Sequence, residues 1–310
     1  MLKFLRLLPF VVSFGLLSSA CSIQAVKGVP PPTAEPLQVS RVEPSPAPAH
    51  TPTAVVPSRT PTRAATATPL PTPTPFITPP PPGAPVSIPI LMYHHLKTLA
   101  PNASETLRTW TVSPEQFTAQ LDYLQTRGFH TITFRQLAEF FERGAPLPTQ
   151  PLILTFDDAW IDAYTVAFPE LRKRGMVGVF FVPTQYVDAG GELLMNWEQV
   201  LEMDRAGMEF GGHTISHADL TKTNLVEARR QLVQGKAITE EKLGHPIVAL
   251  SYPFGAFNPQ IVAEAGAAGY RAAVILCCGY KQQSDLLLML PRIRISYGDT
   301  LDELAKRLPE

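Results

Sequence analysis

His213 and His217 lie four residues apart in "GGHTISHADL" (211–220), behind two glycines and just ahead of Asp219. Imidazoles at that spacing meet if the segment makes one helical turn, and two that meet can hold a metal ion. Two unrelated histidines in a polar loop would read the same way, so the pair needs a third ligand. Asp157 and Asp158 end the apolar run "LILTF". Adjacent carboxylates there are costly without a cation or a proton between them, unless one merely caps a helix while the other faces water. One carboxylate and two imidazoles make a three-ligand set for a catalytic zinc, with an open position for water. Cobalt, nickel and iron suit the same donors.

Such residues must converge, and the rest of the pattern shows how. Apolar runs alternate with amphipathic ones: "SIPILMYHH", "SPEQFTAQLDYLQTRG", "LILTFDD", "DAYTVAFPELRKRG", "VGVFFVP", "NWEQVLEMDRAG", "EFGGH", "NLVEARRQLVQGKAITEEKLG", "VALSYPFG", "NPQIVAEAGAAG" and "RAAVILCC". That order predicts an α/β fold with parallel strands. Ser113-Pro114 opens one helix, and Gly128, Gly175, Gly207, Gly244 and Gly269 close others. Six or seven βα units without a Gly-rich dinucleotide fingerprint favour barrel closure over an open Rossmann sheet. Chemistry in such folds gathers at the carboxyl ends of strands. Four polar clusters stand there: Tyr93-His94-His95, Asp157-Asp158, the His213/His217 pair, and Ser251 to Gly255.

The first residues, "MLKFLRLLPFVVSFGLLSSAC", read as a secretory signal (1–20), too short to span a bilayer. "LLSSAC" resembles the lipobox of bacterial lipoproteins, which makes Cys21 the expected lipidation point and the membrane the expected anchor; a plain cleaved signal would leave the protein secreted. Residues 30–85 hold 19 of the 33 prolines, mixed with Thr, Ala and Ser. Residues 21–85 therefore read as a disordered tether, whose proline-rich stretch 30–85 reaches on the order of 170 Å at roughly 3.1 Å per residue. Residues 86–310 form one domain with 20 basic against 25 acidic side chains. A net charge of about −5 argues against a nucleic-acid partner. Cys277 and Cys278 sit in an apolar run and read as strand residues, not a disulfide. Oligomeric state is not legible.

"TFDD", "HTISH" and "YPFG", in this order and at these separations, resemble the polysaccharide deacetylases of carbohydrate esterase family 4, the NodB-homology domain. The resemblance covers the chain from Pro89 to about Leu308. It implies a distorted (β/α) barrel and metal-dependent hydrolysis of acetyl groups on an N-acetylated polysaccharide. It implies Asp158, His213 and His217 as metal ligands, Asp157 as general base, and the backbone N–H of Phe254 as oxyanion donor, Pro253 having none. The late Leu-x-His motif that supplies an acid in many members has no histidine here, where "LPRIRISYG" stands. "LMYHHL" resembles the first-strand Tyr-His motif of a subgroup, which makes His94 the expected acid and His95 the fallback. Ser251 stands where the family places an arginine that orients the base; Arg292 or Arg294 is the expected substitute, if not an exposed strand residue. Ala159 replaces a usual glycine. Tyr252, Pro253, Phe254 and Trp197 are expected to contact the sugar, with Trp160 and Tyr186 as further rings for stacking. An O-acetyl esterase, or a carbohydrate-binding module on an inactive scaffold, stays open, and poly-N-acetylglucosamine, peptidoglycan and chitin-like glycans are not separated.

Overall fold

The computed structural model describes residues 75–309; the signal, Cys21 and most of the tether lie outside them. Seven strands carry the fold: β1 (Ile90–Tyr93), β2 (Pro151–Asp157), β3 (Val179–Val182), β4 (Glu209–Gly212), β5 (Ala249–Ser251), β6 (Ala272–Cys278) and β7 (Leu290–Arg294). They pair in parallel in the order β1-β7-β6-β5-β4-β3-β2. β2 also pairs with β1, with Ile90 opposite Ile153 and Tyr93 opposite Phe156, so the ring closes. The expected barrel of six or seven βα units is therefore present. The short strand His130–Thr131 adds to β2 at its start.

Helices surround the ring: α1 (Glu105–Thr109), α2 (Pro114–Thr126), α3 (Phe134–Arg143), α4 (Phe168–Lys173), α5 (Thr184–Ala189), α6 (Trp197–Arg205), α7 (Leu225–Leu243), α8 (Pro259–Ala267) and α9 (Leu301–Arg307). Their ends follow local chemistry. Ser113 accepts from the Gln116 N–H while Gln116 reaches back to the Ser113 N–H, and Pro114 takes the first helical position. α3 and α9 were not marked in the strand–helix alternation, although Thr133 and Thr300 form the same reciprocal cap with Gln136 and Glu303. The fold also begins earlier than Val86: Phe76–Ile77 pairs antiparallel with Leu147–Pro148, so the end assigned to the tether joins the folded unit.

Alternation along the strands divides the core in two. Leu152, Leu154, Phe156, Phe180 and Phe210 pack outward with Leu121, Leu124, Leu171 and Met203 of the surrounding helices. Ile90, Ile153, Val179, Phe181, Ala249, Ala272 and Leu290 pack inward with Phe134, Leu137 and Phe140 of α3, while Leu250 and Ala273 pack outward with Leu232, Ile261 and Ala265 of α7 and α8. Each such buried aromatic or branched side chain contributes roughly 1.5–3 kcal/mol. The two glycines ahead of His213 now have a reason. A Cβ on Gly211 would stand 2.6 Å from the Phe181 ring, and one on Gly212 would stand 2.2 Å from the Tyr270 hydroxyl. Small residues there let β4 lie close enough to its neighbours to present His213.

Candidate active site

Asp157, Asp158, His213 and His217 meet at the carboxyl end of the barrel, in a cavity of about 550 Å³ also lined by His94, His95, Trp110, Trp160, Phe254 and Arg292. The adjacent aspartates separate because the chain reverses behind them: Asp158 and Ala159 both adopt left-handed backbone, with φ of 76° and 60°. For Ala159, where a glycine was expected, that conformation costs about 1 kcal/mol or more. It sends one carboxylate into the barrel and the other towards the histidines.

The histidines are joined differently from the expected helical turn. Residues 213–219 form a tight loop in which Thr214 and His217 have φ of 67° and 57°. Buried Gln231 of α7 holds it, its Oε1 accepting from the Ile215 and Ser216 N–H groups at 2.9 and 3.1 Å. A positive φ at two residues bends the loop back more sharply than a helix would, so the two rings meet edge to face with centroids 4.8 Å apart. Gln231 carries no motif signal; it reads in sequence as one more polar residue of a long helix.

His213 Nδ1 donates to the Ser251 carbonyl at 2.7 Å, which fixes Nε2 as the free nitrogen. That Nε2, His217 Nε2 and Asp158 Oδ1 face one another, with each nitrogen 3.2 Å from the oxygen. Asp158 Oδ1 is buried and yet has no hydrogen-bond partner. The other carboxylate oxygen is engaged: Trp160 Nε1 donates to Asp158 Oδ2 at 3.2 Å. Donor atoms all within 4.8 Å of one another, one of them an orphaned buried oxygen, fit a divalent ion. Burial pushes the Asp158 carboxyl up, but the two imidazoles beside it hold it well below the usual carboxylate range. Burial likewise pushes His213 down, and the carboxylates around it, Asp158 first, raise it overall.

Asp157 stands apart from this set. Its carboxylate, 3% exposed, takes a two-pronged bond from Arg292, 1% exposed, at 2.8 Å for each oxygen. Ser251 Oγ donates to Asp157 Oδ2 at 3.0 Å and itself accepts from Arg292 Nη2 at 3.2 Å. Thr155 Oγ1 and the Ile275 carbonyl take the remaining guanidinium hydrogens, so all five donors are used. Of the two arginines offered as substitutes, Arg292 orients Asp157, buried where an exposed strand residue was the alternative. The short Ser251 side chain leaves room for a guanidinium from β7. Arg294 turns away, 5.0 Å over the Trp110 ring. Burial works to raise the Asp157 pKa, but Arg292 prevails and holds it below the ordinary value.

His94 packs against Trp110 with centroids 4.6 Å apart, and burial lowers its pKa despite the opposing charges of Asp157 and Asp158. His95 also lines the cavity, but its Nδ1 lies 3.4 Å from Asp162 and its ring 4.2 Å from Trp160. Among the expected sugar contacts, Phe254 is 62% exposed, with its ring 4.6 Å from that of His217. Its φ of 60° makes it the fifth left-handed non-glycine residue at this site. Tyr252 touches the cavity but is buried, its hydroxyl donating to the Leu288 carbonyl, and Pro253 is buried beside it. Trp197 is not brought to the cavity; as the first residue of α6 it donates to Asp188 and lies under Lys242. Trp110, absent from the sequence expectations, lines the cavity in its place because α1 and the strand residues after it fold over the barrel mouth.

A closed parallel barrel with a metal-capable triad and a second, arginine-held carboxylate at its mouth defines an α/β-barrel hydrolase. Residues 144–273 match the family model described as polysaccharide deacetylase. The solved Streptococcus pyogenes deacetylase PplD, in complex with acetate, aligns with a TM-score of 0.68 at 28% identity, covering 73% of this chain and 100% of that one. YxkH of Bacillus subtilis (strain 168), whose name places it among the polysaccharide deacetylases, is 26% identical over 214 residues, 69% of this chain and 73% of its own length. The poly-beta-1,6-N-acetyl-D-glucosamine N-deacetylase of Escherichia coli (strain K12) is 29% identical over 121 residues, 34% of this chain but only 18% of that protein. Over residues 144–273 the chain is thus similar to the polysaccharide deacetylases.

Proposed function

We propose that this protein removes N-acetyl groups from a cell-surface or extracellular glycan of the poly-N-acetylglucosamine, peptidoglycan or chitin type. The observation that carries the reading is the orphaned Asp158 Oδ1 facing two imidazole nitrogens, next to a carboxylate kept ionised by Arg292. Asp158, His213 and His217 would hold a divalent ion, zinc by donor set. When bound, it would lower the pKa of a water and polarise the acetyl carbonyl.

The remaining steps belong to side chains and backbone. Asp157 takes the proton of the attacking water. Its Oδ1 accepts only from Arg292 among the described residues, which leaves that oxygen a lone pair for the purpose. The Phe254 N–H is the donor for the oxyanion, placed by the left-handed backbone of that residue. Neither ring nitrogen of His94 has a hydrogen-bond partner among the described residues, so His94 is free to protonate the leaving amine. Exposed Phe254, with Trp110 and Trp160 on the cavity wall, offers ring faces to the sugar.

Acetate release from a panel of defined N-acetylated oligomers and O-acetylated xylan, by the ion-loaded protein, tests the reading. Release from an N-acetylated oligomer is expected. Release from O-acetyl groups alone would overturn it. We place the domain outside the cytoplasmic membrane, anchored through Cys21; no helix among the described residues is long and apolar enough to cross a membrane. Fractionation of cells carrying Cys21→Ala checks the anchor: soluble protein is expected, and retention in the membrane would refute it.

A further inference from the structure

A second cavity, of about 750 Å³, adjoins the first and shares Leu276 and Arg292 with it. Tyr280, Arg294, Ser296, Asp299 and Arg307 line the rest. Its charges are not balanced. Arg292 is spent on Asp157, and Arg307 pairs with Asp299 at 2.7 Å, an aspartate whose same oxygen also accepts the Ser296 N–H. Arg294 is exposed and forms no ion pair among the described residues. Its guanidinium lies 5.0 Å over the Trp110 ring, the ring that also packs on His94 in the first cavity. The ring face attracts the guanidinium, whose N–H groups donate to no partner among the described residues. The result is one preorganised positive charge beside the acetyl site, on a domain whose net charge is otherwise negative.

We propose that this second cavity binds a sugar unit bearing a carboxylate, next to the unit that is deacetylated. A planar, two-pronged donor matches a carboxylate, and a single uncompensated charge matches a single anionic substituent better than a phosphate. Tyr280 gives the cavity an aromatic wall for the ring of that sugar. The proposal rests on the deacetylase reading and selects, within it, glycans that alternate acetylated amino sugars with acidic ones.

The test compares two oligomers, one of N-acetylglucosamine alone and one alternating N-acetylglucosamine with units carrying a lactyl carboxylate. For the ion-loaded full chain, kcat/KM is expected to favour the charged oligomer at low salt, with the preference fading as salt rises. The ratio of the two kcat/KM values should fall about three- to tenfold in Arg294→Gln and persist in Arg294→Lys. Equal losses on both oligomers would mean that Arg294 only supports Trp110, and an unchanged ratio would mean that it does not meet substrate; either result overturns the proposal. Binding of the same oligomers to Asp157→Asn protein, followed by NMR, gives a second readout. If neither oligomer is hydrolysed by the wild type, the deacetylase reading fails, and the binding preference still decides this one.

Discussion

Replacing Arg292 by Met should damage the protein in two separable ways. The guanidinium is buried inside the barrel with all five donors used, two of them on Asp157 at 2.8 Å. Removing one partner of such a pair leaves a buried charge without compensation, at a cost of about 3–5 kcal/mol if that charge persists. Asp157 can escape part of the cost by taking a proton. Burial already works to raise its pKa, and only Arg292 outweighs that. The variant should therefore unfold at lower denaturant concentration, and its surviving activity should have its acidic limb moved to higher pH, because the base is now protonated where it was ionised. Each unit of that movement corresponds to about 1.4 kcal/mol. Denaturant unfolding read beside a pH profile of acetate release checks both parts. Arg292→Lys, which keeps charge but not the fork, should fall between. Arg292→Met with wild-type stability and an unmoved acidic limb would refute the assignment of Arg292 as the group that keeps Asp157 charged.

His217→Ala should cut divalent-ion content sharply while leaving the fold intact, since two protein ligands hold zinc poorly and the His217 loop is braced separately by Gln231; metal analysis beside circular dichroism checks this. His94 must be protonated to act as an acid. Its pKa lies below the ordinary 6.5, so the alkaline limb of kcat/KM should fall below that value, and His94→Gln should lower kcat by roughly two to four powers of ten and remove the limb. Glu209 accepts from the Phe134 and Arg135 N–H groups at the start of α3, yet burial pushes its pKa up to about 7. The folded chain holds that proton more tightly than the unfolded one, so the group's contribution is complete below its ordinary value of 4.5 and is lost as pH rises through about 7. Thermal unfolding followed between about pH 5 and 8 should show Tm declining, and Glu209→Gln should flatten the decline.

The order of strands and helices was legible because parallel strands buried on both faces read as apolar runs and Ser113-Pro114 marks a helix start, whereas the equal caps at Thr133 and Thr300 open helices that stand outside the strand–helix alternation. Two motifs, "TFDD" and "HTISH", hold the four residues that meet at the barrel mouth. What sequence did not reveal depends on packing between distant elements. Gln231 acts on the histidine loop from 15 residues away, and Trp110 reaches the cavity only because α1 folds over it. Strand alternation places Arg292 and Arg294, two residues apart on β7, on the same side and so does not separate them; Arg292 is buried on Asp157, whereas Arg294, the last residue of β7, is exposed over Trp110. Trp197 and Tyr252 were drawn to the sugar by their ring chemistry. A tryptophan indole that finds Asp188, and a tyrosine hydroxyl that finds a carbonyl in the wall, satisfy the same chemistry inside the protein.

Parallel measurement of bound ion and acetate release in wild-type and Asp157→Asn protein addresses most directly whether the triad holds the ion and Asp157 activates the water. The wild type should carry one divalent ion per chain and release acetate from an N-acetylated oligomer. Asp157→Asn should keep the ion, since Asp157 is not among its ligands, and lose activity by roughly two to four powers of ten. An Asp157→Asn protein that loads the ion and still releases acetate at the wild-type rate would contradict the assigned base.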